Sequence, residues 1–259
     1  MATRRKELSA LERALRSGIS TLSILVDSTN AIPSVRMKYA VLSIALSLSP
    51  ALFAAAIPIV PSAVLFENDQ VKVIRALERP HVKGKFHDHA RNRVMIYLQP
   101  GLQQFDYQDG RKREVFDWKE KEVKWSAASG MHSPEVISDN PFNIIEIELK
   151  TPGAGKSVTS DLDPVKIDPK HYRVEFENLQ VRVLRAQIEP HGVAPMHEHG
   201  LNRVTVFMTD QEFRVTDSHG KTDIVKHKAG EAIWSTPITH TEENLSDQPF
   251  EVVAVELKN

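Results

Sequence analysis

The stretch whose reading decides the fold is His191-Gly-Val-Ala-Pro-Met-His197-Glu-His199-Gly-Leu-Asn202-Arg203-Val204-Thr-Val-Phe207. His197 and His199 are one residue apart. On a strand, side chains alternate faces with period two, so both rings point the same way and can grip one small object. A hydrophobic strand and a polar turn follow. Then Gly230-Glu-Ala-Ile-Trp234-Ser-Thr-Pro237-Ile-Thr-His240-Thr-Glu-Glu-Asn244 offers a third imidazole.

Working outward, the chain from about Ala63 consists of short Val-, Ile- and Phe-rich runs broken by Gly, Asp, Asn and Pro, the texture of antiparallel β structure. The runs repeat. Phe66-Glu-Asn-Asp-Gln-Val-Lys-Val-Ile-Arg-Ala is matched by Phe176-Glu-Asn-Leu-Gln-Val-Arg-Val-Leu-Arg-Ala, 110 residues on. The same step carries His81 onto His191, His87 onto His197, His89 onto His199 and Asn92-Arg93-Val94 onto Asn202-Arg203-Val204 without a gap. Further on the offset drifts, so that Trp125 answers Trp234 and His132 answers His240. The chain therefore reads as a tandem duplication, with residues 63–150 as one β unit and 171–259 as the other. Residues 151–170 link them, and Thr151–Ser160 reads as flexible from its Gly, Pro and Ser content.

Composition narrows the partners. Hydrophobic residues at 41% and charged residues at 26% describe an ordinary globular protein. A formal net charge of −1 lacks the basic excess that phosphate binding leaves, so nucleic acid is not an expected partner. With no cysteine, any metal must be held by nitrogen and oxygen. Residues 1–62 form an N-terminal extension. Inside it Met37-Lys38 leads an apolar run that ends with Ala54 and Ala56, small residues at −3 and −1 of a cut after Ala56. That is the layout of a secretory signal peptide over 37–56, which implies a secreted or periplasmic protein, free of the membrane after processing. Without that signal the chain is cytoplasmic.

The two histidine sets, His87-Asp-His89 with His132 and His197-Glu-His199 with His240-Thr-Glu-Glu-Asn244, resemble the paired motifs of the cupin family over roughly residues 66–259. The resemblance implies an all-β fold, two tandem cupin barrels of the jelly-roll or double-stranded β-helix type, with the motif histidines in each barrel mouth. It also implies a divalent transition metal, Fe, Mn, Ni, Cu or Zn, held by His197, His199 and His240 in the second barrel and by His87, His89 and His132 in the first. The activity implied is that of a dioxygenase-like oxidoreductase acting on a small anionic or enolisable molecule. The alternative is a non-catalytic ligand-binding or storage-like bicupin with a degenerate metal site. Pairing of copies into a homo-oligomer is compatible with either.

Departures from the family pattern sharpen the expectation. Arg203 and Arg93 stand where the first motif has a glutamate ligand, and Pro237 stands where the second has a glycine. Val136 occupies the asparagine position of the first repeat, so the second barrel is expected to be the working site. Three neutral imidazoles leave the ion's charge uncancelled and favour anionic ligands. A guanidinium aimed at the ion from about 4 Å would be repelled by about 4 kcal/mol at an effective dielectric near 20. Arg203 is therefore expected either to turn aside to an acid or to orient an anionic substrate as a catalytic residue. Pro195 is expected to break the strand ahead of His197, making His191 and its counterpart His81 strand-start residues, not ligands. Trp125 and Trp234 read as core or cavity wall, and Asn92 and Asn202 as turn formers.

Overall fold

The computed structural model describes residues 56–259; the N-terminal extension up to residue 55, with nearly all of the signal-like segment, lies outside the described residues. No helix among the described residues is long and apolar enough to cross a membrane.

The first repeat folds into nine strands. They are β1 (Ala63–Glu67), β2 (Val71–Glu78), β3 (His87–His89), β4 (Arg93–Tyr97) and β5 (Gly101–Tyr107), then β6 (Glu114–Trp118), β7 (Glu122–Ser126), β8 (Ser129–Val136) and β9 (Phe142–Leu149). After a single-turn helix α1 (Pro164–Ile167), the second repeat makes β10 (Tyr172–Glu177), β11 (Val181–Ile188), β12 (Val193–His199), β13 (Arg203–Phe207) and β14 (Gln211–Asp217). It closes with β15 (Thr222–His227), β16 (Ala232–Ser235), β17 (Ile238–Asn244) and β18 (Phe250–Leu257). Each repeat pairs a five-stranded sheet, β1-β2-β9-β4-β7 or β10-β11-β18-β13-β16, with a four-stranded one, β3-β8-β5-β6 or β12-β17-β14-β15. The two topologies are the same strand for strand, as the duplication requires.

Period-two alternation explains why the five-stranded sheets are so apolar. One face of each sheet lines its own barrel. The other packs on the opposite barrel: Val71, Val73, Val94, Ile96, Ile145 and Ile147 join Val181, Val183, Val204, Val206, Val253 and Val255 in a single core cluster, all of them fully buried. Strands covered on both faces need near-continuous hydrophobic runs, which is the Val- and Ile-rich texture of the sequence. Each such side chain contributes about 1.5–3 kcal/mol by leaving water. Trp125 and Trp234 pack against the same cluster.

The turn asparagines serve this seam. Asn92 donates to Gln180 of the second barrel, and Asn202 donates to Gln70 of the first at 3.5 Å. His81 and His191 take left-handed backbone (φ 55° and 57°) in exposed turns and bond to Asp139 and Asp247, away from either histidine set. Two sequence expectations are corrected. The strand ahead of His197 is continuous over Val193–His199, because Pro195 falls at a register shift between Ala194 and His197, where no ladder N–H is needed. The linker is not a free coil either. Ala154 and Lys156 donate to the Lys258 carbonyl, Gly155 donates to Leu179, and α1 is capped by Asp163, whose carboxylate pairs with Arg182 at 2.9 Å.

Candidate metal centres

Strand pairing places the third histidine of each set. In the second barrel β12 lies antiparallel to β17 with His197 opposite His240; in the first, β3 lies against β8 with His87 opposite His132. His199 and His89 enter from the same strand as their partners. In both barrels the three imidazoles offer ligand nitrogens within 4.8 Å of one another, close enough to share one ion. All six histidines singled out in the sequence are thus brought together in two groups of three.

The second set is buried. His197, His199 and His240 are at most 5% exposed. His197 Nδ1 is held by the Pro195 carbonyl at 2.8 Å, and His199 Nδ1 by Glu256 Oε1 at 3.0 Å. Fixing Nδ1 in this way presents Nε2 to the centre, the arrangement metal-bound histidines adopt. Neither ring nitrogen of His240 has a hydrogen-bond partner among the described residues, although both are buried. An unsatisfied buried polar group costs about 1–3 kcal/mol, and a divalent ion would remove part of that cost. The donor set therefore fits a divalent transition ion.

Burial also sets the charges here. It drives His199 well below the usual imidazole range and His240 down to about 4, with Arg203 adding to both effects. Neutral rings are what metal ligation needs. Burial raises Glu256 to about 7 against the pull of Arg182 and Arg203. Burial alone would raise Glu242 too, but His240, His197, Tyr172 and Arg203 together leave it below the ordinary carboxylate value. The Arg203 guanidinium donates to the Thr236 carbonyl at 3.0 Å, makes no ion pair among the described residues, and lines the same small space as His199.

The first set is open. His87 is exposed, His89 half-buried and His132 buried. His87 Nδ1 is held by the Lys85 carbonyl, matching His197 on Pro195, and His132 Nδ1 by that of Gly130, where His240 Nδ1 has no partner among the described residues. His89 differs. Arg93 Nη1 stands 2.9 Å from His89 Nε2 while also pairing with Glu146 at 2.8 Å. Burial and then the charge of Arg93 hold His89 down to about 3. Two nitrogens of this set are free for an ion, and the third faces a guanidinium.

The larger contrast is space. A cavity of about 590 Å³ opens below the first set, lined among others by Met95, Phe105, Phe116, Trp118 and Ile144. The corresponding space in the second barrel is about 40 Å³. It is filled by Tyr172, whose hydroxyl donates to Glu242 at 2.8 Å and lies 3.2 Å from His197 Nε2. The motif comparison favours the second barrel, whereas the room for a ligand lies in the first. Sequence reading also missed Glu78, at the end of β2. Its carboxyl lines the large cavity, makes no hydrogen bond or ion pair among the described residues, and is raised by burial and by neighbouring Glu146. Its counterpart 110 residues on is Ile188, fully buried.

No family model matches the sequence, and no curated protein does. Solved structures do match. The chain is similar to AerE from Microcystis aeruginosa, with TM-score 0.54 and 12% identity over 74% of this chain and 89% of that one. It is also similar to oxalate decarboxylase from Bacillus subtilis, in a structure concerned with its Mn(II) centres, with TM-score 0.53 and 10% identity over 76% and 72% of the two chains. A cupin 2 conserved barrel domain protein from Leptotrichia buccalis covers 80% of this chain and 93% of its own at 14% identity and TM-score 0.49. At such identities the likeness speaks for the fold. The fold is that of two tandem cupin barrels, and each barrel carries a histidine triad that could hold a metal ion.

Proposed function

We propose that this bicupin is a metal-dependent enzyme, a dioxygenase-like oxidoreductase, that acts on a small anionic or enolisable molecule in its first barrel. The observation that carries the proposal is the cavity of about 590 Å³ with His87, His89 and His132 at its head. A bound divalent ion would supply a Lewis acid with open coordination positions. The chain's own residues supply the rest. Arg93, balanced by Glu146, sets the charge beside the triad, and Glu78 is placed to hold a proton on the substrate side of the chamber. In the second barrel His197, His199 and His240 form a closed site whose ion would brace the fold. Export through the segment at 37–56 belongs to the same proposal, and N-terminal sequencing of native protein beginning near Ile57 is its check.

A second reading, a non-catalytic ligand-binding bicupin, is favoured by one contact: Arg93 on His89 Nε2 occupies a lone pair that an ion would need. The two readings separate on metal analysis. The enzyme reading expects metal in both barrels, so that His87→Ala with His132→Ala removes one fraction and His197→Ala with His240→Ala the other. Metal that depends on the second pair alone would sink the enzyme reading.

A further inference from the structure

The first barrel's chamber has a chemistry of its own beyond the triad. From His132 an aromatic series runs down its wall. Phe105 lies edge-on to His132 at 5.5 Å, Phe116 edge-on to Phe105 at 5.6 Å, Trp118 stacked on Phe116 at 5.0 Å, and Tyr97 stacked on Trp118 at 4.0 Å. The two barrels together show which of these rings the fold needs. The Tyr97–Trp118 stack has a counterpart in the second barrel, Phe207 stacked on His227 at 3.7 Å. Phe105 and Phe116 have none. By strand register their places are taken by Val215 and Val225. Across from Phe105 stands Pro134, and the matching residue in the second barrel is Glu242, across from Val215.

The second barrel has a ring of its own, Phe213 at the place of Gln103, but it is buried in that barrel's core, so Phe105 and Phe116 are the extra rings of the barrel with the open centre. Apolar wall left facing an open cavity is wall for a ligand. Its volume lies within the range of chambers that enclose drug-sized molecules, and a two-carbon diacid would leave most of it empty.

We propose that the first barrel binds a planar aromatic acid, its acidic head at His87, His89 and His132 and its ring against Phe105, Phe116 and Pro134. The proposal rests on the reading of that barrel as the ligand chamber, and its test separates the two. The full chain, with and without zinc, is titrated calorimetrically with 3-hydroxy-2-naphthoate, cyclohexanecarboxylate and oxalate. The naphthoate is expected to bind about tenfold more tightly than the cyclohexane acid, from the geometry-specific gain of ring pairs. Phe105→Val with Phe116→Val, which copies the valines the second barrel already tolerates, is expected to remove that advantage and leave oxalate unchanged. Equal binding of the two ring acids, or naphthoate binding untouched by the valines, overturns the aromatic class while the chamber stands. Binding of none of the three acids overturns the chamber as well.

Discussion

The two barrels share a topology, a histidine triad and the carbonyl that holds the first histidine of each at Nδ1, yet one is open and the other shut. The difference comes from side chains outside the motifs. Tyr172 and Glu242 fill the second barrel, where the first has Ser62 and Pro134 at the matching places. Ser62 is exposed, and its Oγ accepts from the Leu77 amide at 2.8 Å at the sheet edge, so it leaves the interior empty. A triad that is sealed can brace a fold; one below an open mouth can meet a ligand.

Exchange of the plug tests this contrast with the largest effect. Tyr172→Ser removes a buried aromatic ring and leaves Glu242 without its donor. Truncations of this kind cost about 3–5 kcal/mol. Denaturant unfolding should show that loss, and the opened barrel should gain a second binding site. The reverse change, Ser62→Tyr, sits on the surface and should fall within about 0.5 kcal/mol of the parent. A loss below about 1 kcal/mol for Tyr172→Ser would mean that something else closes the barrel.

The next effect concerns the metal. Among the described residues only the second barrel backs a motif histidine with a hydrogen-bonded carboxylate, His199 with Glu256, itself tied to Arg182 at 3.4 Å. Loss of such a backing group typically costs 10–100-fold in metal affinity, so about that loss is expected for Glu256→Gln. Chelator competition on a chain carrying His87→Ala, which silences the first barrel, measures it. Unchanged affinity would show that Glu256 serves the fold and not the ion.

These differences also mark where the sequence stops being readable. The duplication and both His-x-His pairs follow from a 110-residue offset and period-two spacing, because ligand pairs must share a strand face, while the barrels and the third histidine of each triad are what the resemblance to the cupin motifs implies. The cavity sizes follow from neither, because Tyr172 reaches His197 and Glu242 across 25 and 70 residues, and no local pattern announces such contacts. Glu78 was within reach: aligned with Ile188, it is an acid where the sister strand has a buried aliphatic side chain. The linker misled for a physical reason. Gly153 and Gly155 suggest freedom, but their positive φ values shape a segment that bonds to the backbone at Lys258 and Leu179.

Two smaller effects appear in the pH dependence of stability, with opposite signs in the two barrels. Glu78 is raised by burial and then by Glu146, so the folded chain holds its proton more tightly than the unfolded one. That contribution is present below the unfolded carboxylate value near 4.3 and is lost as pH rises through the folded value. Glu78→Gln should therefore soften the decline in Tm on the alkaline side of that window. A wild-type-like pH curve for the variant would remove Glu78 from the account. Glu189 behaves in the opposite sense. Its bonds to Lys170, its own backbone and His171 lower it to about 2. Its contribution is present above about 4.3 and is lost as pH falls through about 2. The first barrel has Arg79 at this place, so only the second barrel should loosen, and tryptophan fluorescence of Trp234 in a chain with the other two tryptophans replaced would follow it. The effect should be small, because Glu189 is exposed and water screens its partners. Its absence in Glu189→Gln is the expected control, and acid loosening that persists in that variant would place the sensitive group elsewhere.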